Sequence, residues 1–178
     1  MIADLQWTEQ QVNWQYNNKK IEISAEAVFF ATIMKDGNLI CIQSGKNYIE
    51  EKIYFYNYDG EFVLSYDLEK KIINWIYLNK KAICSVPGLN QAMYNKDTEH
   101  ILILYDNKVV RTMASNGEVL CENNAPNGYI CKYLSWIEGK PVVVCDGDEN
   151  HQDKFGRFRV NFYINEENMT LEKGNIAY

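Results

Sequence analysis

Short apolar runs alternate with clusters of turn residues along most of this chain. Residues 53–58, 62–66, 72–78 and 81–86 each read as a strand, rich in Ile, Val, Tyr and Phe. Tyr58-Asp59-Gly60 and Asn79-Lys80 supply tight turns between them. A second set follows at 101–105, at 109–113 with 119–121, at 129–136 and at 141–145. Its turns fall at Asp106-Asn107 and Gly139-Lys140. Alternation within the runs is imperfect, as expected for strands covered on both faces. Residues 4–14 read differently. Leu5, Trp7, Val12 and Trp14 suit one short helix, followed by a strand at 19–24.

The two sets share markers. Gly60-Glu61-Phe62-Val63-Leu64 returns as Gly117-Glu118-Val119-Leu120. Trp75 precedes Cys84 by nine positions, and Trp136 precedes Cys145 by nine. Extra residues between Gly117 and Trp136 fall in the turn-rich segment 123–128, a natural loop insertion. Half-units flank the pair. Residues 27–34 and 39–42 match a second half, with Cys41 in the place of Cys84 and Cys145, and residues 157–164 and 169–171 match a first half. A chain that starts and stops mid-unit predicts that segments 19–34 and 157–171 share one sheet and seal its edge.

Over residues 25–173 this strand rhythm resembles that of β-propeller repeats, without a WD or Kelch signature. Three units are fewer than the four blades a closed propeller needs. The expected fold is all-β: antiparallel four-stranded meanders in a propeller-like or open ring, within a single domain spanning 1–178. An antiparallel barrel or sandwich is the alternative.

Composition narrows the function more than the fold. A 178-residue chain that is 47% hydrophobic and 24% charged is an ordinary globular sequence. Its net charge of −6 and pI of about 5.0 repel phosphate backbones, so the expectation is no nucleic acid partner. No apolar run approaches the roughly 20 residues that span a bilayer, so no membrane partner is expected either. The opening segment has acid and amide where a secretory signal needs a basic end and an apolar run, which implies a cytoplasmic protein. Five cysteines without compact spacing argue against a disulfide framework and for thiols packed as small core hydrophobes.

Sequence motifs for phosphate loops, dinucleotide sites, nucleophile elbows and zinc proteases are absent, and two histidines make a common zinc site implausible. We therefore expect no enzyme, no cofactor and no metal. Asp146-Gly147-Asp148-Glu149-Asn150 opens like a calcium loop, but His151 stands where a glycine is needed and Arg157 where a bidentate acid is needed. The segment reads instead as a solvated connector or as an acidic recognition loop. In the second reading Asp146, Asp148, Glu149 and Asp153 meet a cationic groove, joined by Glu166, Glu167 and Glu172.

Small size, acidity and the lack of catalytic motifs are similar in general character to bacterial immunity proteins of contact-dependent growth-inhibition systems. That resemblance implies a non-catalytic inhibitor that blocks a basic toxin such as a nuclease. A propeller-like binding module for another protein or peptide is the alternative, and a β-class enzyme with an unrecognised site a further one. A broad acidic face with exposed aromatics favours the inhibitor. A pocket of strongly perturbed titratable groups favours the enzyme.

Overall fold

The computed structural model describes residues 2–165, 167–168 and 170–177. Among them are seventeen strands, two short 3-10 segments and no α-helix. The pairing is antiparallel throughout, and strand order follows the chain in every sheet. β1 (Ile2–Thr8), β2 (Gln11–Tyr16) and β3 (Lys19–Ser24) form a three-stranded sheet. β4 (Val28–Met34), β5 (Leu39–Ser44), β6 (Lys52–Asn57), β7 (Phe62–Asp67), β8 (Ile72–Tyr77) and β9 (Lys80–Ser85) form a six-stranded one. β10 (Leu89–Asn95), β11 (His100–Tyr105), β12 (Lys108–Met113) and β13 (Val119–Asn124) form a four-stranded sheet. So do β14 (Tyr129–Ile137), β15 (Lys140–Gly147), β16 (Arg159–Asn165) and β17 (Thr170–Ile176). The protein is all-β, and its four-stranded sheets have the up-and-down strand order of propeller blades.

The chain divides into two compact units, Met1–Val86 and Pro87–Tyr178. In the first, Val12 and Trp14 of β2 pack with Val28 and Ala31 of β4 and Ile40 and Ile42 of β5. Trp14 is fully buried, and its indole N–H donates to the Tyr58 carbonyl at 2.8 Å, so its polar atom is satisfied. In the second, Met93, Leu102, Leu104 and Val109 pack against Tyr129, Leu134, Val143, Cys145, Val160 and Phe162.

Two-residue hairpins join many of the strands. Asn17-Asn18, Leu78-Asn79, Asp106-Asn107 and Glu138-Gly139 all have positive φ at both central positions, the turn whose twist matches paired strands. The tight turns at residues 79–80 and 139–140 expected from sequence thus lie one residue earlier. Gly60 and Gly117 both precede the fourth strand of a sheet, in loops spanning residues 58–61 and 114–118, the second one residue longer. In each, the glycine N–H donates back across the turn, to Asn57 at 3.0 Å and to Met113 at 2.8 Å, and a register shift follows in both ladders.

Several expectations need correction. Residues 4–14 are not helical. They form the β1–β2 hairpin, turning at Glu9-Gln10, and the irregularity at Asp4 (φ 55) breaks the alternation that marks a strand. Residues 109–113 and 119–121 belong to two strands, β12 and β13. β10 was not foreseen. Among the described residues, segments 19–34 and 157–171 belong to different sheets: β3 pairs with β2, β4 with β5, and β17 ends the sheet of β14. Trp75 and Trp136 both lie near the end of a hairpin's first strand, yet β8 is the fifth strand of six and β14 the first of four. Cys41 and Cys145 both lie on second strands, whereas Cys84 lies on the last strand of its sheet.

The true repeat pairs Trp14 with Trp75, 61 positions on. β2, β3, β4 and β5 return as β8, β9, β10 and β11 with every boundary shifted by the same 61 positions. Asn13, Trp14, Tyr16, Asn18, Lys19, Lys20 and Ser24 recur as Asn74, Trp75, Tyr77, Asn79, Lys80, Lys81 and Ser85. β2 and β8 have the same burial pattern, as do β3 and β9. Even the left-handed residues recur, Ala27 with Gly88 and Asn38 with Glu99. The duplicated cassette is therefore the last two strands of one sheet and the first two of the next.

Candidate functional site

The connection between β15 and β16 holds the acidic segment, and most of its charge is already engaged. Arg159 sits directly across the ladder from Asp146. Its Nε donates to Asp146 Oδ1 at 2.7 Å and its Nη2 to Oδ2 at 3.3 Å, while Lys132 Nζ lies 3.6 Å away. The Arg159 bond holds the Asp146 carboxyl below its usual range. Asp148 caps a 3-10 turn, Glu149–His151, accepting from the Asn150 N–H at 2.9 Å and lying 2.6 Å from His151 Nδ1. The His151 contact lowers its pKa. Asp153 gathers the N–H groups of Phe155 and Arg157 at 2.8 and 2.9 Å and the Arg157 guanidinium at 2.6 Å. Desolvation opposes its ionisation, and these donors outweigh it, leaving the pKa lowered.

The loop is packed as well as neutralised. The His151 ring lies 4.5 Å from that of Tyr129, and a Cβ on Gly147 would meet His151 Cβ at 2.6 Å. What faces outward at the tip is Phe155, 70% exposed, with Lys154 Nζ and Arg157 Cζ 4.9 and 5.1 Å from its ring centre. Glu149 is exposed and keeps no side-chain partner among the described residues. Asp153 thus serves as the clamp of a turn that presents an aromatic ring between two cations.

The other predicted acids lie elsewhere. Glu166 falls outside the described residues. Glu167 is in the β16–β17 turn, at the far end of β16 from Arg159, about 20 Å along the strand. Glu172, opposite Tyr163, accepts from Asn165 Nδ2 at 2.8 Å. The six described residues therefore do not form one cluster: Asp146, Asp148, Glu149 and Asp153 come together, while Glu167 and Glu172 belong to the opposite end of the sheet.

A second site emerges where the two copies of the cassette differ. In the second copy β11 passes to β12 through Asp106-Asn107 alone. In the first, β5 passes to β6 through residues 45–51, with a 3-10 turn at Lys46–Tyr48. This added segment walls a cleft of about 620 Å³, lined also by Trp7, Glu9, Val28 and Phe29. Tyr48 is 83% exposed, its ring edge-on to Phe29 at 6.1 Å. Trp7, 41% exposed, meets Phe30 edge-on at 5.9 Å. Positions 29 and 30 are Phe-Phe here and Asn90-Gln91 in the second copy, where the Gln91 amide bonds the backbone of Leu134 on both sides, at 2.6 and 3.0 Å. The cleft is open to solvent rather than enclosed, and its exposed rings are of the kind that anchor interfaces.

Each described carboxylate with a displaced pKa is displaced downward: Asp146, Asp148, Asp153 and also Glu122, which Lys108 grips at 2.6 Å beside the Tyr105 hydroxyl. No group of three His, Cys, Asp or Glu side chains is placed to hold a metal among the described residues. No described helix is long and apolar enough to cross a membrane.

No protein-family model matches the sequence, and no curated protein does. Solved structures show likeness of fold at low identity. A dihydro-heme d1 dehydrogenase, NirN, in complex with DHE is 10% identical, with a TM-score of 0.49 over 96% of this chain and 43% of its own. A protein of unknown function from Bacteroides caccae is 16% identical, with a TM-score of 0.43 over 94% of this chain and 54% of its own. Kluyvelomyces marxianus Hsv2 is 9% identical, with a TM-score of 0.46 over 94% of this chain and 79% of its own. The chain spans about half the length of the first two, and likeness at this level brings no ligand or activity with it.

Proposed function

We propose that the protein is a non-catalytic binding module for another protein or a peptide, and that the aromatic cleft around Trp7, Phe29 and Tyr48 is where it binds. One observation carries this reading. Gly45, Lys46, Asn47 and Tyr48, which wall the cleft, belong to a segment (45–51) added to a cassette whose second copy makes the same strands with a two-residue turn. Gly45 and Glu51 continue the backbone ladders at its two ends, and between them it exposes Tyr48 and Ile49 to solvent. Large exposed rings on a rigid β scaffold supply contact area at low entropic cost.

The narrower reading, an inhibitor of a basic toxin such as a nuclease, rests on the net charge of −6 and on exposed Glu149 and Glu167. It is the weaker of the two, because Asp146, Asp148 and Asp153 already hold Arg159, His151 and Arg157.

The test immobilises the wild type and a Trp7→Ala/Tyr48→Ala variant side by side and quantifies what each retains from its source cell. The expected result is one retained protein or peptide whose direct binding weakens at least about tenfold in the variant, the scale of an interface anchor. Equal binding by both would remove the cleft from function. A retained partner that is basic, and whose association rate falls steeply with salt, would restore the toxin-inhibitor reading.

A further inference from the structure

We propose that Cys131 and Cys145 are a reversible redox pair, in which Cys131 reacts with a low-molecular-weight disulfide such as oxidised glutathione and Cys145 resolves the adduct to an intramolecular disulfide.

The pair is built into the β14–β15 ladder. The two residues are direct register partners. Opposed residues on antiparallel strands have Cα atoms about 4.5–5.5 Å apart, inside the range a disulfide spans. Their sulfur atoms already lie 3.5 Å apart, so bonding needs a contraction of about 1.5 Å by side-chain rotation. Just beyond Cys131 the register shifts, between Cys131 and Tyr133, which loosens the ladder where that movement occurs.

The two thiols are unequal in the way such chemistry requires. Cys145 is fully buried in the core with Tyr129, Leu134 and Phe162, and no oxidant reaches it first. Cys131 is half-buried, on the first strand of its sheet. The hydrogen bond between the sulfurs lowers the pKa of Cys131 and raises that of Cys145, so Cys131 is the better nucleophile. The remaining cysteines have other surroundings. Burial pushes the Cys41 thiol up to about 12, Cys84 donates to the Ser85 carbonyl, and Cys121 lies 3.4 Å from Asn123 Oδ1.

The steps balance. The Cys131 thiolate attacks one sulfur of the small disulfide, whose S–S bond breaks and releases one thiolate. Cys145 then attacks Cys131 Sγ, the mixed S–S bond breaks, and the second small thiolate leaves with the Cys145 proton. The protein loses two electrons and two protons, and the small disulfide becomes two thiols. A reducing thiol pool reverses both steps.

The consequence is local. Lys132 and Asp146, the residues that follow the two cysteines, are themselves 3.6 Å apart at the root of the β15–β16 loop. The covalent bond fixes that root.

The test equilibrates the full-length protein in glutathione buffers of graded redox poise, quenches by alkylation, and reads intact mass and linked peptides. The wild type is expected to lose two hydrogens, to yield a Cys131–Cys145 linked peptide without glutathione, and to recover on reduction. Cys145→Ala is expected to hold one glutathione on Cys131, and Cys131→Ser to form neither product. A stable glutathione adduct on the wild type, a linked peptide between other cysteines, or no change in the most oxidising buffer would each overturn the proposal. Peptide mapping of the wild type decides the matter even if a variant fails to fold.

Discussion

Leu78 holds the left-handed first position of its turn, φ 46, with its side chain 75% exposed. The same position in the duplicate cassette is Asn17, φ 51, whose short polar side chain tolerates that conformation. Replacing Leu78 by Asn is therefore expected to stabilise the protein by about 1 kcal/mol, read as a raised urea midpoint at constant slope. A lowered midpoint would mean that Leu78 packs in a way its exposure does not suggest. At Asp146 the sign is fixed by its partner. Arg159 depresses the folded-state pKa, so the pair stabilises the fold above the unfolded carboxyl value of about 3.9, and that contribution is lost as pH falls through the lower folded value. Urea midpoints between neutral and strongly acid pH should fall less for Asp146→Asn than for the wild type. The acids of this loop were legible in the sequence, and so were Lys154, Arg157 and Arg159 a few positions on. Three of those acids, Asp146, Asp148 and Asp153, are held by Arg159, His151 and Arg157. The signal was the alternation of signs within one short segment.

Strands flanked by tight turns were readable from apolar runs and turn residues, because a two-residue hairpin fixes both its neighbours. Two elements were not. β10 carries Asn90, Gln91 and Asn95, and a polar strand leaves little apolar signature. The β1–β2 hairpin turns at Glu9-Gln10, residues that suit a helix interior as well as a turn. The aromatic cleft was also out of reach, since it depends on which rings the folded sheets leave uncovered. Recognising it requires pairing Trp14 with Trp75, whereas the Trp–Cys spacing drew attention to Trp75 and Trp136. The cassette comparison gives a clean experiment on this element. Replacing residues 45–51 by Asp-Asn, the turn of the second copy, should preserve the β-sheet circular dichroism and leave thermal stability unchanged or higher, since a shorter loop costs less to close. The same variant should lose the partner of the cleft. A variant that unfolds would assign residues 45–51 to the core instead.

At the scale of the whole molecule, each compact unit has its own buried cluster, one centred on Trp14 and Ile40, the other on Leu102 and Phe162. Residues 87–178 made alone are expected to fold cooperatively, seen as a single sigmoidal melt with dispersed amide resonances. A molten fragment would show that its two sheets need the first unit. The duplicated cassette bears on how the full chain reaches its native state. The hairpins β2–β3 and β8–β9 agree in turn position, burial pattern and half of their non-buried residues, so either suits the other's place beside β1 or β7. Early in folding the chain must choose between two nearly interchangeable partners, and a wrong choice keeps most native-like contacts while leaving an edge unpaired. Between two chains, the same ambiguity permits reciprocal exchange of hairpins into an entangled dimer. Divergence between β1 and β7, and between the residue pairs Phe29-Phe30 and Asn90-Gln91, separates the correct pairing from its impostor.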